Sequence, residues 1–549
     1  VVSEIPEWLG DAIAADSTGL LPSLANYLAT FSEPPGFEYL NPGRIAHGHA
    51  HDEQDQRNRL LMALNESYAI NTDGPIVQVA MENGEEIGLE ATQLKSVACG
   101  PYVHQLRNVY ANTNTNMADA IDRRITQKKK PFCLTAIQKR DISKIVDALC
   151  ANGGLFSVKR IHDVVNEILW EPNFADLKSR KWSDARMMAA VEKLWTMMDL
   201  DFSPDCFVKT EAQTNSKPPR PIKNDGDVGQ VMALLVIAIF EHLMYLEHKS
   251  HAIKHKTKED ALKDVVDMFQ GKLHMTATDG SAWDASCKHE IRDLIENRIL
   301  LHIMEVVMDL GYVPEQWLKK HQEVNEKKKL RMRFRRKCFK DHVYHNIEAI
   351  RRSGHRGTSS LNWIVNVVLT LYANFPVASC ITLLNQGQTR RVVSRWSEKK
   401  IWFSWACDGD DMFYGSSHCH TPEQRQAELS LWDAAGFTMK VNQEDNGKFR
   451  RFLGHMFGLK NGQEGTGLNG IVIPELLRNL NASHIHCSPR INTILEKEGL
   501  SAQCIRELAP GFVCRANAFK DFLPGLASKY LELACHLLGE RDVLLSHDH

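Results

Sequence analysis

Two short acidic stretches carry side chains suited to phosphoryl transfer. Asp279-Gly280-Ser281-Ala282-Trp283-Asp284 sets two carboxylates five positions apart at the end of an apolar segment. Gly409-Asp410-Asp411 sets adjacent carboxylates inside Ile401-Trp402-Phe403-Ser404-Trp405-Ala406-Cys407-Asp408-Gly409-Asp410-Asp411-Met412-Phe413-Tyr414, which reads as two β-rich arms around a tight Asp-Gly turn. Two-metal chemistry needs carboxylates from separate elements converging on one point, where they hold divalent ions about 3.5–4 Å apart. Asp279 and Asp410 suit that pairing. Taken singly, each stretch also fits a plain turn or helix cap.

Between the two acidic stretches lies a Ser353-Gly354 loop that runs into an apolar helix carrying Thr358 and Asn362. Helical spacing puts those two on one face, four positions apart. This order and spacing resembles the palm of viral RNA-dependent RNA polymerases, where the three stretches are motifs A, B and C. A fourth match lies upstream, in Phe207-Val208-Lys209-Thr210-Glu211 followed by Lys217-Pro218-Pro219-Arg220-Pro221-Ile222. As bare sequence it is a charged, Pro-stiffened loop. In this order it is similar to motif F, which roofs the nucleotide tunnel, and an Arg fork with Lys point charges suits phosphate oxygens.

The resemblance implies a role for each matched position. Asp279 and Asp410 would hold two Mg2+ or Mn2+ ions, with Asp411 in support. Arg220 would meet the incoming triphosphate or stack on its base, Lys209 and Lys217 would hold phosphates, and Glu211 would orient the basic residues. Asp284, Thr358 and Asn362 would read the ribose 2′-hydroxyl, with Ser353 and Gly354 in the nucleotide-binding loop; Gly354 and Gly357 would let that loop move. Asn366 reads as ordinary helix-face polarity. Ala434-Ala435-Gly436-Phe437-Thr438-Met439-Lys440-Val441 resembles motif D, whose lysine protonates the leaving pyrophosphate; Lys440 matches it, with Lys448 as the competing candidate. Phe452-Leu453-Gly454 resembles motif E. Trp283 directly before Asp284 departs from the usual motif A, which leaves the ribose geometry open.

The elements that must position these residues follow from pattern. Apolar spacing of three or four predicts helices from Thr135 onward, over 158–169, 184–198 and 290–309, and in 516–538; a hairpin is predicted over 331–347. The fold class implied is α+β, a right-hand polymerase with an antiparallel-sheet palm and mostly helical fingers and thumb. Its parts would be an N-terminal extension with fingers including motif F (1–271), palm motif A (272–289), a fingers insert (290–352), palm motifs B to E (353–458) and a thumb (459–549).

Composition sets limits. A chain of 549 residues with 43% hydrophobic content can bury a large core divided among subdomains. The most apolar run, Val228 to Met244, contains Glu241 and His242 and reads as a buried helix, so no transmembrane segment is expected. The thirteen cysteines lack a C-x-x-C pair, which fits reduced thiols in a cytosolic setting. Net charge is −2, but the first hundred residues hold 15 acids against 4 bases, leaving +9 for the remainder. That surplus concentrates from Lys327 to Lys337, a face for sequence-independent phosphate binding or simply a solvated one. His47, His49 and His51, His418-Cys419-His420 and His484-Ile485-His486-Cys487 lack a second metal-binding half and read as loop histidines.

The expected activity is template-directed RNA synthesis from NTPs in replication and transcription of a viral genome. Among these polymerases Gly-Asp-Asp points to positive-strand or double-stranded RNA viruses, and the Lys209–Arg220 segment and the Gly436-Phe437-Thr438-Met439-Lys440-Val441 stretch resemble the positive-strand group. The expected partners are template and product RNA and other viral replication proteins. The expected location is the host cytoplasm, at membrane-associated replication complexes or inside a virion. A non-catalytic RNA-binding replication protein and a reverse transcriptase or DNA polymerase are the alternatives. An aromatic steric gate, usual in the latter class, is absent at Asp284.

Overall fold

The computed structural model describes residues 130–170, 184–196, 204–209 and 218–474 with short breaks, most of 112–128, and several short strands and single turns elsewhere. Glu211, Lys217, Lys448, the His47–His51 cluster, most of 1–110 and nearly all of the expected 516–538 helix lie outside the described residues.

The chain runs through helices α1 (Ala136–Cys150), α2 (Val158–Trp170) and α3 (Asp184–Thr196), as the apolar spacing predicts. Thr135 and Gln138 close a reciprocal capping box that fixes where α1 begins. Strands β1 (Asp205–Val208) and β2 (Pro221–Asn224) precede the long helix α4 (Gly226–Glu247) and strand β3 (His274–Ser281). Then come helix α5 (Glu296–Asp309), strands β4 (Lys329–Arg335) and β5 (His342–Glu348) and helix α6 (Thr358–Asn374). Strands β6 (Arg390–Val393), β7 (Lys400–Asp408) and β8 (Asp411–Ser416) lead to helix α7 (Pro422–Ala434) and strand β9 (Thr438–Val441). Strands β10 (Phe449–Phe452), β11 (His455–Leu459) and β12 (Leu468–Pro474) follow.

A five-stranded antiparallel sheet in the order β6-β7-β8-β3-β9 carries the acidic residues. Its centre is apolar on both faces because α6 covers one side while Phe269 and Phe457 pack against Phe413 on the other. All the apolar residues of α6 are buried, and Trp363, Trp405, Tyr414 and Phe403 fill the space between helix and sheet. At about 25 cal/mol per Å2, such burial is the main term holding α6 on the sheet. A second sheet, β5-β4-β1-β2, buries Cys206, Val208, Leu330, Met332 and Phe334 on one face. Its other face exposes Phe207 and Tyr344, and the Arg331 guanidinium lies 3.7 Å over the Tyr344 ring. The expected 331–347 hairpin is β4–β5, and the Phe452-Leu453-Gly454 turn joins β10 to β11 with Leu453 and Gly454 both at positive φ.

Three details bear on the sequence reading. The expected 290–309 helix is two, His289–Leu294 and α5, with a break at Ile295 that the buried Arg292–Glu296 pair spans. Helix α4 has the length and hydropathy to cross a membrane, yet it forms part of the core, with Glu241 accepting from Ser360 and pairing with Arg356. Finally, chain ahead of 272 already lies on the acidic sheet: Ala252 bridges Cys407, and His251 stacks on Trp405.

Candidate active site

The Asp408–Asp411 hairpin closes through Gly409 and Asp410, with Asp408 facing Asp411 across the ladder. Gly409 sits at φ 66°, a left-handed value that glycine adopts without penalty. Beside it runs β3, in register from His274↔Ser416 to Thr278↔Met412, so Asp279 follows at the level of the turn. On its other edge Asp279 lies directly across from Lys440 of β9. Three stretches distant in sequence therefore meet at one end of one sheet.

The five-residue spacing of Asp279 and Asp284 has a local cause. Ala282 takes a left-handed conformation, φ 51°, which ends β3 and starts the turn Trp283–Ser286. Trp283 folds back over Gly280, where an added Cβ would lie 2.5 Å from its ring, and packs against Trp432 and Phe437. The bulky residue that departs from the usual pattern is thus the anchor that fixes this turn. Burial pushes the Asp410 carboxyl up to about 6, with its own backbone amide opposing and Asp284, Asp279 and Asp408 adding repulsion.

That donor set suits a hard divalent cation: the half-buried carboxylates of Asp284, Asp408 and Asp410 with the exposed one of Asp279, in electrostatic reach. The carboxylates do not form a closed trio. Among the described residues only His289, Glu290 and Glu348 bring three ligand atoms within 4.8 Å of one another. Mg2+ commonly takes one or two protein carboxylates and completes its shell with water and substrate phosphates, so Asp279 and Asp410 could hold one without a closed trio.

The loop ahead of α6 is held tightly. Gly354 N donates to Lys223 O at 2.8 Å, Lys223 N donates to the Ser353 hydroxyl at 3.2 Å, and Gln230 donates to Gly354 O. A Cβ on Gly354 would stand 2.7 Å from Lys223 O and 2.8 Å from Asn224 Cα, and one on Gly357 would strike Ile237. Neither glycine has a positive φ. Both glycines serve close packing of the loop in this conformation.

The expected ribose-reading trio is divided. The Thr358 hydroxyl lies within hydrogen-bond distance of Arg352 O (2.8 Å) and His355 O (2.9 Å), so its proton serves the loop backbone. Asn362 is buried, and its Oδ1 accepts from Arg351 Nε at 2.7 Å. Its Nδ2 makes no hydrogen bond among the described residues, which leaves an amide donor for a ligand hydroxyl. Arg351 N in turn donates to Asp284 O at 3.1 Å, so one residue links the Asp284 and Asn362 segments. The Arg351 side chain is locked on Glu296; burial opposes ionisation there, but Arg351 and Arg292 hold Glu296 below its ordinary value.

Lys209 and Arg220 face one another where β1 and β2 join, Lys209 N donating to Arg220 O at 2.8 Å. The connection to the acidic residues is Lys223. Burial pushes its ammonium below the ordinary value, Asp284 opposing and Arg220 and Arg351 adding. Lys223 escapes sequence reading because one lysine beyond a Pro-rich loop carries no signal.

Asn366 is the clearest residue that the sequence reading passes over. Fully buried, it donates from Nδ2 to Asp410 O at 2.8 Å and to Gly409 O at 3.3 Å, and so clamps the acidic turn from α6. Its Oδ1 accepts from Thr370, while Asn374, one turn further, donates to Glu428. The available signal is a polar stripe every fourth position, Thr358, Asn362, Asn366, Thr370 and Asn374, in a helix otherwise almost wholly apolar.

No protein-family model matches this chain, and no curated protein matches it.

Proposed function

We propose that this chain is a viral RNA-directed RNA polymerase of the Gly-Asp-Asp type, built as a right hand whose palm is the acidic sheet. The observation that carries the reading is that β3 runs beside β8 in a register that sets Asp279 level with the Gly409–Asp410 turn, so that two separate stretches meet at one end of that sheet. The ordered motifs around them supply the rest of the support.

Asp279 and Asp410 hold the catalytic divalent ions, with Asp411 supporting the turn. Bound there, Mg2+ or Mn2+ supplies activation of the RNA 3′-hydroxyl and neutralisation of the triphosphate. Asn366 keeps the main chain of the turn fixed, so the Asp410 carboxylate needs little reorganisation to serve. Lys209, Lys217 and Arg220 take the triphosphate, Arg220 by its planar fork. Lys440, across from Asp279, hands a proton to departing pyrophosphate. Asn362 Nδ2 and Asp284 read the ribose hydroxyl, with Thr358 acting only as an acceptor and Ser353 and Gly354 shaping the pocket. A site whose buried polar groups pair with a hydroxyl rejects a sugar lacking it, because those groups are then left unpaired.

Incubation with a homopolymer RNA template, labelled NTPs and Mn2+ tests the reading. The expected product contains only the complementary nucleotide. Binding of RNA without incorporation would favour a non-catalytic replication protein, and preferential use of dNTPs would favour a DNA-synthesising enzyme.

A further inference from the structure

A second polar cluster stands apart from the acidic turn, where the short helix His289–Leu294 meets the end of β5. His289 Nδ1 lies 3.2 Å from Glu290 Oε2 and 3.9 Å from Glu348 Oε1, and the three ligand atoms all fall within 4.8 Å of one another. His289 Nδ1 and Glu290 Oε2 are each sealed from solvent, and among the described residues neither makes a hydrogen bond, their mutual contact being an ion pair only when the imidazole is protonated. Buried polar atoms left in that state carry a desolvation cost that a ligand between them would relieve. The neighbouring cation is Lys288, whose Nζ donates to Lys130 O at 2.6 Å and stays 3.9 Å from Glu348 Oε2.

The frame around the trio is set by main chain. His289 N donates to Ala349 O at 3.2 Å, and Lys288 bridges Ile350, so main-chain contacts tie helix and strand together beside the three side chains. Zn2+ sits about 2.0–2.1 Å from a histidine nitrogen and about 2.0–2.2 Å from a carboxylate oxygen, which places tetrahedral ligand atoms roughly 3.3 Å apart. The two separations from His289 Nδ1 bracket that value, and the third lies within 4.8 Å. A mixed imidazole and carboxylate set favours a borderline transition metal over Mg2+, which prefers oxygen alone.

We propose that His289, Glu290 and Glu348 form a binding site for one Zn2+ ion, with an open fourth position, separate from the carboxylates around Asp410. The site stands whether or not the chain makes RNA. An ion there ties the segment carrying Asp284 to the strand that feeds the Arg351–Gly354 loop, since Arg351 N already reaches Asp284 O.

The competing description is an imidazolium held by two carboxylates with no metal. Tag-free full-length protein, stripped with a chelator, is titrated with Zn2+ by calorimetry and followed by thermal unfolding. Wild type is expected to bind one equivalent more than the double variant His289→Ala/Glu348→Gln, and to gain thermal stability that the variant lacks. Glu290→Gln should weaken that equivalent at least tenfold, and Asp410→Ala should leave it unchanged. Should the double variant fail to fold, Glu290→Gln and X-ray absorption of the zinc-loaded wild type decide the matter. Equal stoichiometry in wild type and variant, an unweakened equivalent in Glu290→Gln, a zinc shell without nitrogen, or displacement by millimolar Mg2+ would each overturn the assignment.

Discussion

Asn366 concentrates the residue-scale account, because one amide holds two carbonyls of the acidic turn. Asn366→Ala leaves both without that donor, which should cost about 1–3 kcal/mol of stability. It should also raise the Mn2+ concentration for half-maximal incorporation; a loss of stability with unchanged metal dependence would make Asn366 purely structural. Gly354→Ala forces a methyl against the main chain of Lys223 and Asn224, which cannot yield as a side chain can, and should destabilise by about 1–3 kcal/mol. Thermal unfolding of that variant at wild-type Tm would show that the loop does adapt. Asn362→Ala or Asp284→Ala should narrow the NTP over dNTP ratio of kcat/KM, whereas a uniformly lower rate at constant ratio would place both residues in support of the fold. At this scale the carboxylates were legible because their types and spacing are rare. Asn366 was not, since its partners are backbone atoms that no sequence pattern displays.

At the scale of elements, the hairpin turn, the capped helix α1 and the Gly436 ending of α7 were readable from local chemistry. The break at Ile295 was not, because it falls inside a continuous apolar spacing and goes with a buried ion pair. The join between α4 and the acidic sheet depends on His248 and His251, which lie between them. His248 Nε2 donates to Leu384 O at 2.8 Å and His251 Nδ1 donates to Trp405 O at 2.6 Å. Burial lowers His248 to about 3 and His251 to about 4, so both are neutral in the folded chain. The unfolded chain takes up those protons near the ordinary value, so their contribution is complete above about pH 6.5. It is lost as pH falls through the interval down to 4 and 3, at up to about 1.4 kcal/mol per pH unit for each. His248→Gln should flatten the fall of Tm between pH 6.5 and 5; an unchanged slope would show that other groups set the acid sensitivity.

Across the whole molecule, charge and architecture divide the work. On the proposed reading, the basic surplus beyond residue 100 and the exposed face bearing Phe207, Arg331 and Tyr344 would give salt-sensitive RNA binding independent of the acidic turn. The order of motifs along the chain was legible from sequence, whereas the pairing of β3 between β8 and β9 required the fold, since contacts of such separation leave no local trace. Binding and chemistry should therefore separate cleanly in a single comparison. The decisive measurement is complementary nucleotide incorporation by wild type and Asp410→Ala on one RNA template at saturating Mn2+, with RNA affinity measured alongside. A loss of about a thousandfold or more in incorporation is expected, with RNA affinity and Tm nearly unchanged, because on the proposed reading Asp410 would hold the ions that activate the reaction. Incorporation by Asp410→Ala at more than a few per cent of the wild-type rate, or none by wild type itself, would contradict it.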